Sequence, residues 1–446
     1  MGASIDGIRA RCPSGCIAIR AVLLPLALVC GAARGEAVAA SSDGLIASAE
    51  PGWPQWRGPR RDGISNEKGL LTAWLDDGPT LLWKIDGLGT GWASPVITGD
   101  RLYIPGDLGD DLAVFAFDLA GRPVWQAKNG RAWKGPYPGA RACCAYSGGR
   151  LYHMNAHGRV VCLDAESGNE VWSLNVLEQF EGENITWAVS ECLLIDGDRL
   201  IVTPGGRKAL MAALDARTGR AVWTTRALPG DNTSHCSPIL FRYAGRRLIT
   251  NCSSAHGFGV DADTGELLWT VPLKNPHGVN VSTPVYESGR VFYMTPYAEH
   301  GRQYRLNLDS STTSAEHVWT SPIDAVTGCA VLIDGTLFAA GYRECKWWLG
   351  IDWQTGKTRY ELKDLTTGPS IYADGRLYCL DERGTVALVK PDRNGMKIVS
   401  RFQLVPDRVH DAWAHPVLLD GRLYLRYHDS LWCYDVRAQG ARTPHQ

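Results

Sequence analysis

The 446 residues carry 46 Lys and Arg against 47 Asp and Glu, a formal net charge of −1 with a pI near 6.8. A chain this balanced offers no basic stripe to a phosphate backbone or an acidic lipid surface, so nucleic-acid and membrane-surface binding are excluded as first readings. Its 17 tryptophans exceed ordinary usage and call for an architectural cause.

In chain order, Arg9, Arg11 and Arg20 come first, then the apolar stretch AVLLPLALVCGAA, then AVAASS. A basic region, a short apolar core and a small-residue cleavage site near Ala37-Val38-Ala39 follow the order of an export signal. The apolar core is shorter than the roughly 20 residues a membrane-spanning helix requires. Residues 1–40 are therefore expected to be a signal peptide, and the mature chain an exported monomer of the periplasm or cell envelope without an integral membrane span. A lipid anchor on Cys30 is the lesser alternative, since the preceding ALV lacks the small residue such a site needs. Residues 41–79 read as a lead-in segment, 80–437 as a repeat domain and 438–446 as a tail.

The repeat is clearest in DAESGNEVW (164–172), DARTGRAVW (215–223) and DADTGELLW (261–269), with looser copies starting at Asp118, Asp309 and Asp352. Eight copies of a second motif, such as GDRLYI and GGRLYH, alternate with it. The leading Asp residues recur every 40 to 51 positions, a period that, with short alternating apolar runs, predicts a β-propeller. Asp118, Asp164, Asp215 and Asp261 open turns by bonding their own backbone, with Gly supplying positive φ. Trp83, Trp125, Trp172, Trp223, Trp269 and Trp319 close units, each a flat side chain suited to packing between sheets that share no ladder hydrogen bonds. The last unit lacks a closing strand, and TLLWKI (80–85) stands a unit too early. The spacing therefore predicts an all-β, eight-bladed ring closed by pairing the N- and C-terminal strands, which removes the exposed edges.

The Asp-x-x-Thr-Gly-x-x-x-Trp unit resembles the tryptophan-docking repeat of the quinoprotein, or PQQ-like, β-propellers, a family that includes PQQ-dependent alcohol dehydrogenases and the assembly factor BamB. WPQWRGPRRDGIS (53–65) resembles the lead-in of exported PQQ-like repeat proteins of planctomycete type. The resemblance implies the fold; enzymes and binding scaffolds both use it.

Register across the units places Ser94, Cys143, Cys192, Ser237, Thr283, Cys329, Pro369 and His415 in one inner-strand column. Adjacent Cys143 and Cys144 thus have a packing reason to be small, and the reading taken is buried thiols. The resemblance implies the alternative, a disulfide of Cys143 and Cys144 against a quinone, with Glu191 on a Ca²⁺ ion beside the cofactor. Glu191 occupies a column otherwise filled by small residues, so it is expected to line a water-filled channel. Trp92, Arg141, His235 and Trp413 are expected to form an aromatic and polar mouth where a protein or glycan binds. His157, His256 and His300 are read as turn residues tolerating left-handed backbone. No Gly-x-Ser-x-Gly or Cys-x-x-Cys-His occurs. A non-catalytic binding scaffold without cofactor is the leading reading, and a PQQ- and Ca-dependent alcohol or sugar dehydrogenase the alternative.

Overall fold

In the computed structural model of the protein, residues 42–438 are described, apart from 298, 309–312 and 393–394. The expected signal peptide and nearly all of the tail lie outside the described residues. Eight antiparallel sheets of four strands follow one another along the chain, one of them extended by a fifth strand. Blades one to seven span 96–131, 145–175, 194–224, 239–272, 285–321, 331–362 and 370–403. Blade eight combines three strands of 417–435 with Thr80–Ile85 from the front of the chain. There Leu81 pairs with Tyr434, Trp83 with Cys433 and Ile85 with Leu431, so the ring is closed by its two chain ends. The described residues contain one short helix, Val176–Phe180, capped by Asn175.

The repeat motif works as a joint between neighbouring blades. The carboxylate of Asp164 accepts the Ser167 N–H at 3.0 Å, and that of Asp215 accepts the Thr218 N–H at 2.8 Å. Asp118 and Asp261 close their turns in the same way. The turn then receives the tryptophan of the preceding blade. Trp83 donates from Nε1 to the Leu119 carbonyl, Trp125 to that of Ala165, Trp172 to that of Ala216 and Trp223 to that of Ala262, at 3.0 to 3.1 Å. In each case the acceptor immediately follows the leading Asp. Gly168 shows why the motif needs glycine, since its φ is +74° and a Cβ would sit 2.7 Å from the Trp125 indole. Trp319 repeats the contact on Trp353. Trp269 departs from it by donating to the Tyr293 hydroxyl at 3.2 Å; Asp309, the matching anchor, lies outside the described residues.

The lead-in segment does more than precede the ring. Gly44–Leu45 adds a strand to blade four, and Trp53 exchanges backbone bonds with Ile97 of blade one. Tyr146 of blade two donates to the Pro54 carbonyl, while Tyr372 of blade seven bridges Gly63 and Ser65. Trp56 donates to Thr283 before blade five and packs on His415 before blade eight, with ring centroids 4.4 Å apart. Two arginines complete the circuit. Arg57 reaches the Ala330 carbonyl at blade six, and Arg61 reaches those of Cys192 and Leu193 at blade three, at 2.7 and 3.1 Å. Both guanidinium-bearing residues are buried, and both hold left-handed backbone with φ of 59°. The segment lies on the face bearing the first hairpin turns, where Glu50 accepts from Gly148 and Glu67 from Gly421. It therefore plugs the ring opposite the loops that begin each inner strand.

Candidate functional site

The open end of the ring holds a cavity of about 450 Å³, walled by loops that lead into the inner strands and by turns joining second and third strands. Trp92, Arg141, His235 and Trp413 all line it, so the structure brings the four mouth residues together. Trp56 of the plug also lines it, which makes the cavity a blind cup. Sequence reasoning missed Trp56, Trp187, Tyr137 and Tyr297, because each reaches the cavity from a loop outside the aligned columns.

The aromatic groups fall on two arcs. Trp92 and Trp413 have ring centroids 4.7 Å apart, and Tyr137 stands 5.2 Å from Trp413, at blades eight and one. Across the ring, Trp187, His277, Tyr297 and Tyr342 form a chain with centroids 4.6 to 6.0 Å apart. Tyr137 and Tyr297 hold φ of 52° and 65°. Bulky residues rarely take that backbone, and such strain concentrates at ligand sites.

Charged groups are distributed around the rings. Arg141 donates to the carbonyls of Trp187, Gly139, Pro136 and Tyr137, tying together the loops that carry the aromatics. Burial lowers its pKa to about 10, leaving it a cation at neutral pH. His235 shares a 2.9 Å hydrogen bond with Ser190. Burial, then the nearby Arg141 charge, lowers its pKa to about 3, so it stays neutral. Arg343 lies over the Tyr297 ring at 5.0 Å, while Glu382 and Asp411 line the opposite side. Burial and then Asp411 raise the Glu382 pKa.

Glu191 does not line the cavity, contrary to its expected channel position. Its side chain accepts from the Thr203 N–H at 2.8 Å, the Thr203 hydroxyl at 2.6 Å and the Asn251 amide at 3.2 Å. The residue is 1% exposed, buried between blades three and four. Burial raises its pKa to about 7 against hydrogen bonds from Thr203 and the charge of Arg61. Because the folded value exceeds the unfolded 4.5, the folded chain holds the extra proton between these limits, and stability falls as pH rises through them. The loss is on the order of 3 kcal/mol. Glu191→Gln is expected to flatten that slope, whatever it does to absolute stability; denaturant titrations at pH 5 and pH 8 check it.

Cys143 and Cys144 are both buried free thiols. The Ser94 N–H donates to Cys143 Sγ at 3.2 Å, the Cys143 N–H to Cys192 Sγ at 3.2 Å and the Cys192 N–H to Ser237 Oγ at 3.0 Å. Along this part of the column each side chain accepts from its neighbour's backbone, a role that thiol and hydroxyl both fill. Among the three histidines, His300 alone takes left-handed backbone, with φ of 73°. His157 lies in its turn within 3.3 Å of the Ala132 carbonyl, and His256 binds the Asp231 carboxylate at 2.7 Å.

The donor set around Glu191 is a poor fit to the Ca²⁺ ion that would accompany a quinone. A Ca²⁺ site takes six to eight oxygens. Both Glu191 oxygens are already engaged by Thr203, and the Arg61 cation acts on the same carboxylate. No group of three or more His, Cys, Asp or Glu side chains suited to a metal occurs among the described residues. Nor, among them, is any helix long and apolar enough to cross a membrane.

Comparison with known proteins places the chain among both kinds of PQQ-like propeller. BamB of Yersinia pestis is 22% identical over 296 residues, covering 63% of this chain and 70% of that protein. The 1-butanol dehydrogenase (quinone) of Thauera butanivorans is 30% identical over 142 residues, which span 29% of this chain and 22% of the enzyme. Among solved structures, BamB from Moraxella catarrhalis superposes with a TM-score of 0.59 at 16% identity, covering 80% of this chain and 99% of that one. The quinohemoprotein alcohol dehydrogenase from Comamonas testosteroni gives 0.60 at 14% identity, with 89% and 82% covered. The family model described as outer membrane protein assembly factor BamB matches residues 110–344. With more than half of its length matched and eight docked blades in its structure, the chain belongs to the PQQ-like β-propeller family.

Proposed function

We propose that the protein is an exported, non-catalytic binding module of the periplasm or cell envelope, acting as a monomer that captures a protein or glycan at the mouth of its ring. The observation that carries this reading is the blind aromatic cup. It has the size of small-ligand sites, about 300–1,000 Å³, and combines aromatic walls with a few fixed polar groups. Its strained tyrosines and the carbonyl-bonded Arg141 hold the lining in place before any ligand arrives. Similarity to the assembly factor over most of that protein's length supports a scaffold. The dehydrogenases that match do so over only 13 to 27% of their own length, and the dehydrogenase reading would need Glu191 and the cysteine pair in arrangements this chain uses for packing.

The test pairs a negative with a positive. Mature protein mixed with PQQ and Ca²⁺ is expected to give no dye-linked alcohol oxidation above the blank. Its tryptophan fluorescence is expected to respond to a saccharide or unfolded-polypeptide probe, and Trp92→Ala and Trp413→Ala to lose the response. Alcohol oxidation above the blank, or a response untouched by both substitutions, overturns the proposal.

A further inference from the structure

We infer that the ligand of the mouth cavity is a neutral saccharide of one or two pyranose rings, an inference that rests on the binding-module reading above. Three features select this chemistry. First, the lining offers flat rings on two arcs, Trp92, Trp413 and Tyr137 against Trp187 and Tyr297. A ligand that satisfies both arcs needs two apolar faces, and the C–H faces of a pyranose ring supply them. Second, the wall carries charges of both signs. Arg141 and Arg343 stand against Glu382 and Asp411, the last already paired with Arg408. A strongly anionic or cationic ligand would meet its own sign on one side, whereas the edge hydroxyls of a sugar donate to the carboxylates and accept from Arg343, most N–H groups of Arg141 being already bonded to carbonyls.

Third, the cup is blind. Trp56 lies beneath it, held by its bond to Thr283 and its contact with His415, so a polypeptide cannot thread through. A peptide would have to enter as a bent loop or by a charged terminus, and in either case bury backbone N–H and C=O groups. Unpaired groups of that kind cost about 1–3 kcal/mol each. The end of a glycan enters with no such groups, and its hydroxyls rotate to suit the donors and acceptors present.

Tyr137 and Tyr297 provide variants that keep the fold. Asn tolerates left-handed backbone, so Tyr137→Asn and Tyr297→Asn remove one ring each without added strain. Chitobiose, cellobiose and maltose are titrated into the intact mature protein and followed by calorimetry and tryptophan fluorescence. Reduced, carboxymethylated α-lactalbumin serves as the polypeptide probe. At least one disaccharide is expected to bind, and each Asn variant to weaken it about tenfold or more with an unchanged thermal midpoint. If no disaccharide binds, or if both variants bind as the parent does, the saccharide assignment is overturned. Should the polypeptide bind instead, at a site the two variants destroy, the assignment falls while the binding-module reading survives. Should neither probe bind, both fall.

Discussion

A chain shortened to begin at residue 86 is expected to yield no soluble monomer, the largest effect of any change considered. The shortening removes the strand Thr80–Ile85, leaving blade eight with three strands and the backbone of Leu431–Asp435 unpaired along one edge. An exposed apolar edge of this kind recruits other chains. Trp83 is lost with it, along with the indole that packs against Gly121 and donates to Leu119 across the seam between blades eight and one. So is the plug, whose bonds reach the other blades. Size-exclusion chromatography after refolding reads the result; a monomer with the parent's thermal midpoint would show that the seam is held elsewhere.

Arg61→Ala carries the second largest effect, a loss of about 3–5 kcal/mol, the range for removing one partner from a buried charged network. Arg61 is 2% exposed, and its guanidinium serves the carbonyls of Cys192 and Leu193 together with Gln55. Deleting it strands those acceptors. It also withdraws a cation that lowers the pKa of Glu191, so that pKa rises further and the fall in stability with pH reaches more alkaline conditions. Pairing the substitution with Glu191→Gln separates the contributions: the double variant should lose less than the sum of the two single losses, because the carboxylate no longer needs a counter-charge. Strict additivity, measured by denaturant titration at pH 8, would show that Arg61 acts only through the carbonyls.

The ring was legible because its clearest joints are each written within nine residues. Asp164 through Trp172 encodes a turn, a glycine with positive φ and the indole that docks on the next turn, so counting the motif counts the blades. The gathering of Trp92, Arg141, His235 and Trp413 was legible for the same reason, since equivalent positions in a closed repeat converge on one axis. Glu191 was misread because its partners, Thr203 and Asn251, are 12 and 60 residues away, and no local pattern announces them. The cysteine column was recognised as small but not as accepting, because the donor is the backbone of the neighbouring blade. Arg57 and Arg61 gave the weakest signal. Arginines near glycine in a polar segment look solvated, and the blade carbonyls they reach lie 131 to 273 residues onward.

The order of synthesis sets the plug apart from the rest of the molecule. Residues 44–71 leave the ribosome before any blade exists, yet their partners run as far as Ala438, the last of the described residues. Contacts so distant along the chain are slow to form, because the intervening loop must first be ordered. This segment is thus expected to find its place last, seating as a keystone once the arch is whole. Protection of their amides from exchange with solvent would time the completion of the entire ring.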